Sequence, residues 1–335
     1  YANRMPDPVL QQVEHFNNPG ITQNDAFKPV TKYFDRITRP EQILQTLPQA
    51  IQTMLDPADC GPACLSLSQD VQGETYEYPE EFFKERVHNI RRPRPDDFQI
   101  KQAAEQIKKS KNPLLISGGG VFYSDAMEDL SNFAIKHNIP VTQTVMGYST
   151  MKRDHSHFLG PIGGLGGKAA NNLAKQTDLA IAVGTKLADF TTGSWANFEN
   201  PDFSLVSVNV SRFDASKHLA QSVIGDAKVS LQELSNVLGD WKAPDEWHKK
   251  SRDELKNWND YVDKESGPTN QELPSYAHAV GAIYRNSDPT DIAVTAAGGL
   301  VGEVVQIWRP KELNTHETEW GFSCMSYEIS GALGV

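Results

Sequence analysis

The chain has 335 residues, of which 39% are hydrophobic and 22% charged. That is long enough for two or three domains of roughly 100–200 residues each, and too apolar for global disorder. A formal net charge of -11 argues against broad phosphate-backbone binding, which needs a basic face, and no apolar run approaches the roughly 18 residues that a membrane span requires.

The three cysteines, Cys60, Cys64 and Cys324, fit a reducing, cytoplasmic setting better than a disulfide framework. Cys60 and Cys64 lack a partner pair at zinc spacing, so they read as buried strand-edge thiols. Residues 1–91 hold few elements and read as the end of a domain plus a linker. Thr38 is a candidate N-cap, with Pro40 at an early helical position, Glu41 three residues on, and Ile43, Leu44, Leu47 and Ile51 at helical spacing. A strand follows over 63–67. Pro79, Pro93 and Pro95 bracket a charged connector.

Residues 92–241 read as one complete doubly wound α/β domain. Helices are predicted over 97–110, 124–137, 168–176 and from Asp226 to Val237, and strands over 113–117, 139–143, 179–183 and 205–210. Strands alternating with helices imply a parallel sheet whose ligands sit at the carboxyl ends of the strands. Gly118–Gly120 stand between a strand and a helix. They form either a phosphate-cradling turn or a plain tight one, because the full dinucleotide fingerprint is missing. Gly163 and Gly164 open a Gly-rich stretch before a helix, which brings backbone close to a ligand or forms a mobile loop. His155 and His157 read as surface-loop histidines rather than a metal pair. The polar loop TTGSW at 191–195 suits an anion or is only a turn.

Residues 242–335 begin a third α/β unit. Trp247 and Trp258 fall on a predicted surface helix, a helix is predicted over 274–284, and a strand over 291–295 runs into Gly298 and Gly299 at the start of another helix. Ser323 is a candidate cap for a last apolar helix carrying Met325, Ile329 and Leu333 on one face. Two loop-to-helix junctions in this half-domain point to a cofactor pocket. No catalytic triad or activated nucleophile can be assembled from the pattern, and Cys324 has no activating neighbour in sequence. The chain opens on Tyr1 and closes within an apolar helix, so it reads as an interior piece of a longer enzyme.

Several stretches carry a resemblance: GPACLSLSQDV at 61–71, PLLISGGGV at 113–121, DLAIAVG at 178–184 and GFSCMSYEISGALG at 321–334. With them the whole chain resembles the thiamine-diphosphate-dependent enzymes related to acetohydroxyacid synthase. NDAFKPV at 24–30, YFDRITRPEQ at 33–42 and GFSCM at 321–325 narrow this to the trihydroxycyclohexanedione hydrolase family of bacterial inositol catabolism. The resemblance implies a Rossmann-like central domain flanked by partial pyrimidine-binding and diphosphate-binding domains. It implies a carbon–carbon bond hydrolase that opens a small cyclic dione to a deoxyglucuronic acid, with thiamine diphosphate and Mg2+ as cofactors and no flavin. By position in the motifs, Gly298, Gly299 and Leu300 would lie at the diphosphate, and Cys324 and Met325 on the thiazolium side. Met146, Gly163 and Gly164 would reach the substrate. The family's activating glutamate is expected ahead of Tyr1 and its magnesium motif beyond Val335, so no catalytic or metal-ligating residue is assigned. A homodimer or homotetramer is implied. The alternatives are a synthase or decarboxylase of 2-oxo acids and a nucleotide-binding regulatory module.

Overall fold

The computed structural model describes residues 21–335. The part of the first-domain reading that falls on residues 1–20 lies outside the described residues. Two compact units divide after Arg91.

In the first unit, β1 (Tyr33–Ile37) and β2 (Ala63–Leu67) pair in parallel, from Tyr33 opposite Ala63 to Ile37 opposite Leu67. The helix Ile43–Met54 connects them and buries Thr46 and Ala50. β2 matches expectation. β1 was not predicted, because a half-buried strand bearing Asp35 and Arg36 shows no apolar alternation. The capping role given to Glu41 belongs to Gln42. A short 3-10 turn over Pro40–Gln42 puts Gln42 in third place, and its Oε1 accepts from the Thr38 amide at 2.6 Å and the Arg39 amide at 2.9 Å. Cys64 is half-buried and Cys60 is exposed, so the second is not a buried thiol.

The second unit is built on six parallel strands. These are β3 (Pro113–Ser117), β4 (Val141–Gln143), β5 (Phe158–Pro161), β6 (Leu179–Val183), β7 (Ser204–Asn209) and β8 (Gln221–Ile224), in spatial order β5-β4-β3-β6-β7-β8. This is the doubly wound order, in which chain direction across the sheet reverses between β3 and β6. Every residue of β3 and β6 is buried, so both faces of the sheet are covered. Helices Asp97–Lys109, Met127–His137 and Ala227–Leu238 pack together, and Lys168–Ala174 packs with the long helix Asp245–Glu265. The fold class expected from the sequence holds. Two edge strands went unpredicted, β5 because Gly160 breaks its pattern at φ 89° and β8 because it is short and half polar. The helix predicted from 124 starts at Met127, since Asp125 at φ 51° separates it from a single turn over Gly120–Tyr123.

The helix Asp245–Glu265 is not a surface helix on its tryptophan side. Trp247, Ser251, Leu255, Trp258 and Val262 form a buried stripe at helical spacing, and Trp247 Nε1 donates to the Pro113 carbonyl at 2.8 Å. Beyond it lie the helix Tyr276–Asn286, β9 (Ala293–Thr295), the helix Leu300–Ile307, β10 (His316–Thr318) and the helix Tyr327–Gly334. β9 and β10 pair in parallel. Ser323 does not cap the last helix, which begins four residues later, after Ser326 at φ 77°. Ile329 and Leu333 are exposed on it, whereas Met325 precedes the helix rather than sharing a face of it.

Candidate functional site

The carboxyl edge of the central sheet at the β3–β6 reversal is where a doubly wound domain offers a crevice. Here backbone fills it. Gly118 donates its amide to the Val183 carbonyl and Gly120 to the Gly184 carbonyl, both at 2.9 Å. A Cβ on Gly118 would stand 2.4 Å from the Gly184 oxygen. The triple glycine is therefore a close-packing device, with two of its three amides committed inside the protein.

Beside it, the turn after β4 carries Met146. This residue borders a cavity of about 240 Å³ together with Gly119, Tyr123, Asn314, His316 and Thr318. His316 and Thr318 come from β10 and were not singled out in the sequence. Burial pushes the His316 imidazole down to about 4, so the ring is neutral at ordinary pH. It shares a hydrogen bond with Thr295 Oγ1 at 3.3 Å and meets the Tyr148 ring edge-on at 5.4 Å. The Tyr148 hydroxyl and Thr318 Oγ1 are buried without partners among the described residues.

Gly163 is buried, and its φ of 108° suits glycine. Its amide donates to Asn171 Oδ1 at 2.9 Å, and its carbonyl accepts from Asn171 Nδ2 at 3.0 Å. Gly164 is exposed, with its amide on the Phe190 carbonyl at 2.7 Å. This loop is thus tied down rather than free. Leu165, next in the loop, joins Val145, Tyr148, Val301, Val305 and Trp320 in a small apolar cluster. That cluster lies under four of the singled-out segments: the Met146 turn, the Gly163–Gly164 loop, the helix opened by Leu300, and the strand end leading to Cys324 and Met325. Phe190 closes the group by meeting Trp320 edge-on at 5.3 Å.

Gly298, Gly299 and Leu300 are exposed, and Gly298 has a φ of 88°. Nothing lies within 4 Å of a Cβ built on either glycine. Their amides and that of Leu300 donate to no described residue, and they open an eight-residue helix. Unspent amides at a helix N-terminus, with open space before them, fit an anionic group such as a diphosphate.

The segment after β10 is organised by Glu319, also unforeseen. Its carboxylate accepts from the Phe322 and Cys324 amides, each at 2.7 Å, and those bonds hold the carboxyl below its ordinary value. Cys324 is exposed. Local desolvation, then the Glu319 charge, push its thiol up, which disfavours a thiolate nucleophile. Met325 is 82% exposed. The signal for Glu319 was local, an acid placed to accept amides three and five residues ahead. The pairing of Phe190 with Trp320 had no sequence signal.

The remaining candidates are structural. His157 is buried, not a surface histidine; it stacks on His248 at 4.2 Å and shares a hydrogen bond with Asn138. Among the described residues no cluster of three His, Cys, Asp or Glu could hold a metal ion. The TTGSW loop forms a turn through Gly193 and, with Lys186, Lys217 and His218, borders a shallow concavity of about 510 Å³. Among the described residues no helix is long and apolar enough to cross a membrane.

Residues 100–234 match the family described as thiamine pyrophosphate enzyme, central domain. The chain is similar along all its length to proteins named 3D-(3,5/4)-trihydroxycyclohexane-1,2-dione hydrolase. It is 41% identical to the one from Clostridium perfringens strain 13, 42% to that of Clostridium tetani and 39% to that of Geobacillus thermodenitrificans. It spans about half the length of these curated relatives, 55–56% of each. The six-stranded doubly wound sheet agrees with this match to the thiamine pyrophosphate enzyme central domain over residues 100–234.

Proposed function

We propose that the protein carrying this sequence hydrolyses a carbon–carbon bond of 3D-(3,5/4)-trihydroxycyclohexane-1,2-dione, opening the ring to 5-deoxyglucuronic acid. Thiamine diphosphate and Mg2+ would serve as its cofactors. The observation that carries this reading is the roughly 40% identity along the entire chain to relatives bearing that one name. Water balances the reaction: its hydroxyl ends on the carbonyl carbon as a carboxyl, and its proton on the carbon released. In this reading residues 1–91 close a pyrimidine-binding domain, 92–241 form the central domain and 242–335 open the diphosphate-binding domain. A homodimer or homotetramer in the cytoplasm completes it.

When bound, the thiazolium supplies a nucleophilic carbon and an electron sink. The chain's own residues do the rest. Gly298, Gly299 and Leu300 would hold the diphosphate on unspent amides, with Gly298 leaving room for its approach. Cys324, kept as a thiol, and Met325 would line the thiazolium side. Met146, Gly163 and Gly164 would border the substrate, and the apolar cluster that includes Trp320 would help exclude water from the site.

The test is to express the protein at the full length of its own gene, load it with thiamine diphosphate and Mg2+, and follow the dione by mass spectrometry. Appearance of the open-chain acid is expected. Turnover of pyruvate to acetolactate or acetaldehyde, with the dione untouched, would replace this reading with a synthase or decarboxylase.

A further inference from the structure

The turn over 321–326 is held in an unusual way. Ser323 and Ser326 both sit in the left-handed region, at φ 52° and 77°, which side chains other than glycine and asparagine disfavour. Packing does not impose this conformation, because Phe322 is 90% exposed and Met325 82%. What spans the turn is one carboxylate: Glu319 Oε1 accepts the Phe322 amide and Oε2 the Cys324 amide, both at 2.7 Å. Glu319 is itself anchored. Its amide donates to the Thr295 carbonyl of β9 at 3.3 Å, and the neighbouring Trp320 is wedged between Phe190 and the cluster with Val301 and Val305. Downstream, the Tyr327 hydroxyl donates to Glu317 Oε1 at 3.0 Å, so an acid on β10 and the acid just past it brace the two ends of the turn.

We propose that Glu319 is a positioning residue: by bridging two amides it fixes the Phe322–Met325 turn in the shape that receives the cofactor. This rests on the reading given under Proposed function. A carboxylate is suited to the task because charged acceptors make short, strong bonds to backbone amides. One acceptor on each oxygen also sets the spacing between the two amides, which a single-acceptor side chain cannot do.

The experiment uses the full-length protein and its Glu319→Ala and Glu319→Gln variants. Hydrogen exchange of the cofactor-free proteins reads the turn directly. Titration of tryptophan fluorescence with thiamine diphosphate in the presence of Mg2+ reads cofactor affinity. Steady-state kinetics with the dione at saturating cofactor split kcat from KM. For Glu319→Ala, exchange over 321–326 rises about tenfold and cofactor affinity falls about tenfold, the worth of a lost charged hydrogen bond. Its kcat falls while KM for the dione stays within about twofold, since the substrate side is untouched. Glu319→Gln keeps one acceptor oxygen and falls between. Should Glu319→Ala melt early, Glu319→Gln decides.

Unchanged exchange or unchanged cofactor affinity in the deciding variant overturns the proposal. The two readings fail separately. A wild-type protein that binds the cofactor but leaves the dione intact, with Glu319 variants that bind it weakly, refutes the substrate and supports the positioning role. A wild-type protein that opens the dione, with variants of full affinity, does the reverse. A wild-type protein that binds no thiamine diphosphate refutes both.

Discussion

The amide of Gly120 donates to the carbonyl of Gly184 at 2.9 Å, across the β3–β6 reversal of the sheet. Gly184 adopts φ 61°, and a Cβ on it would stand 2.7 Å from the Gly120 Cα. Gly184→Ala therefore meets two penalties at once. Left-handed backbone costs an alanine about 1–2 kcal/mol, and overpacking against backbone adds about 1–3 kcal/mol. The expected loss is about 3 kcal/mol, read as a lower urea midpoint at unchanged slope. A loss under about 0.5 kcal/mol would mean that the two strand ends part easily and leave an openable crevice.

His316 makes stability depend on pH in a stated window. Burial holds its folded pKa near 4, below the ordinary 6.5. The unfolded chain therefore takes up the proton first, and acid favours unfolding. The stabilisation is complete above pH 6.5, declines as pH falls toward 4 and then levels off. At pH 4.5 this residue alone removes about 2 kcal/mol relative to pH 7. Denaturant titrations at the two pH values should show that difference shrinking in His316→Gln. A slope remains from His157, which burial and then the adjacent His248 also push down to about 4. An unchanged pH difference in His316→Gln would show that His316 is already protonated or already exposed in the native protein.

The sequence revealed the parts of the fold that are local. β3 and β6 were read to the residue because a strand buried on both faces is a short continuous apolar run between turn residues. Asp226 was read as a cap because its carboxylate takes amides two and three residues ahead, at Lys228 and Val229. β1, β5, β8 and β10 were missed because each is at most five residues long and carries glycine or polar positions that break the alternation. At the candidate site, Gly298 and Gly299 were legible from strand–glycine–helix order alone. His316, Thr318 and the pairing of Phe190 with Trp320 were not, because they join segments more than a hundred residues apart. The tryptophan helix was misjudged for a related reason. Its composition is charged, and only the spacing of Trp247, Leu255, Trp258 and Val262 marks the buried stripe.

That stripe gives a graded prediction. Trp247→Ala removes a buried indole beside β3 and should cost about 3–5 kcal/mol. Trp247→Phe keeps most of the ring but leaves the Pro113 carbonyl without its 2.8 Å donor, and should cost about 1–2 kcal/mol. Thermal melts of the two variants should rank in that order. Equal losses would mean that the hydrogen bond, not the ring, holds the helix to the sheet edge.

Ser326 offers the opposite sign. At φ 77° it sits in backbone that glycine adopts freely and serine does not. Ser326→Gly relieves about 1–2 kcal/mol of left-handed strain. It also adds about 0.4–1 kcal/mol of unfolded-state entropy to be lost on folding. The strain is the larger quantity, so the net effect is a stabilisation of about 0.5–1 kcal/mol. Hydrogen exchange over 323–328 should slow in Ser326→Gly. Ser326→Ala separates backbone from side chain: it keeps the Cβ, so it should leave exchange as it is. Ser326→Val adds a branch at the strained position and should speed it. If glycine, alanine and valine all exchange alike, the left-handed backbone at 326 carries no strain, and Glu319 need not be opposing any.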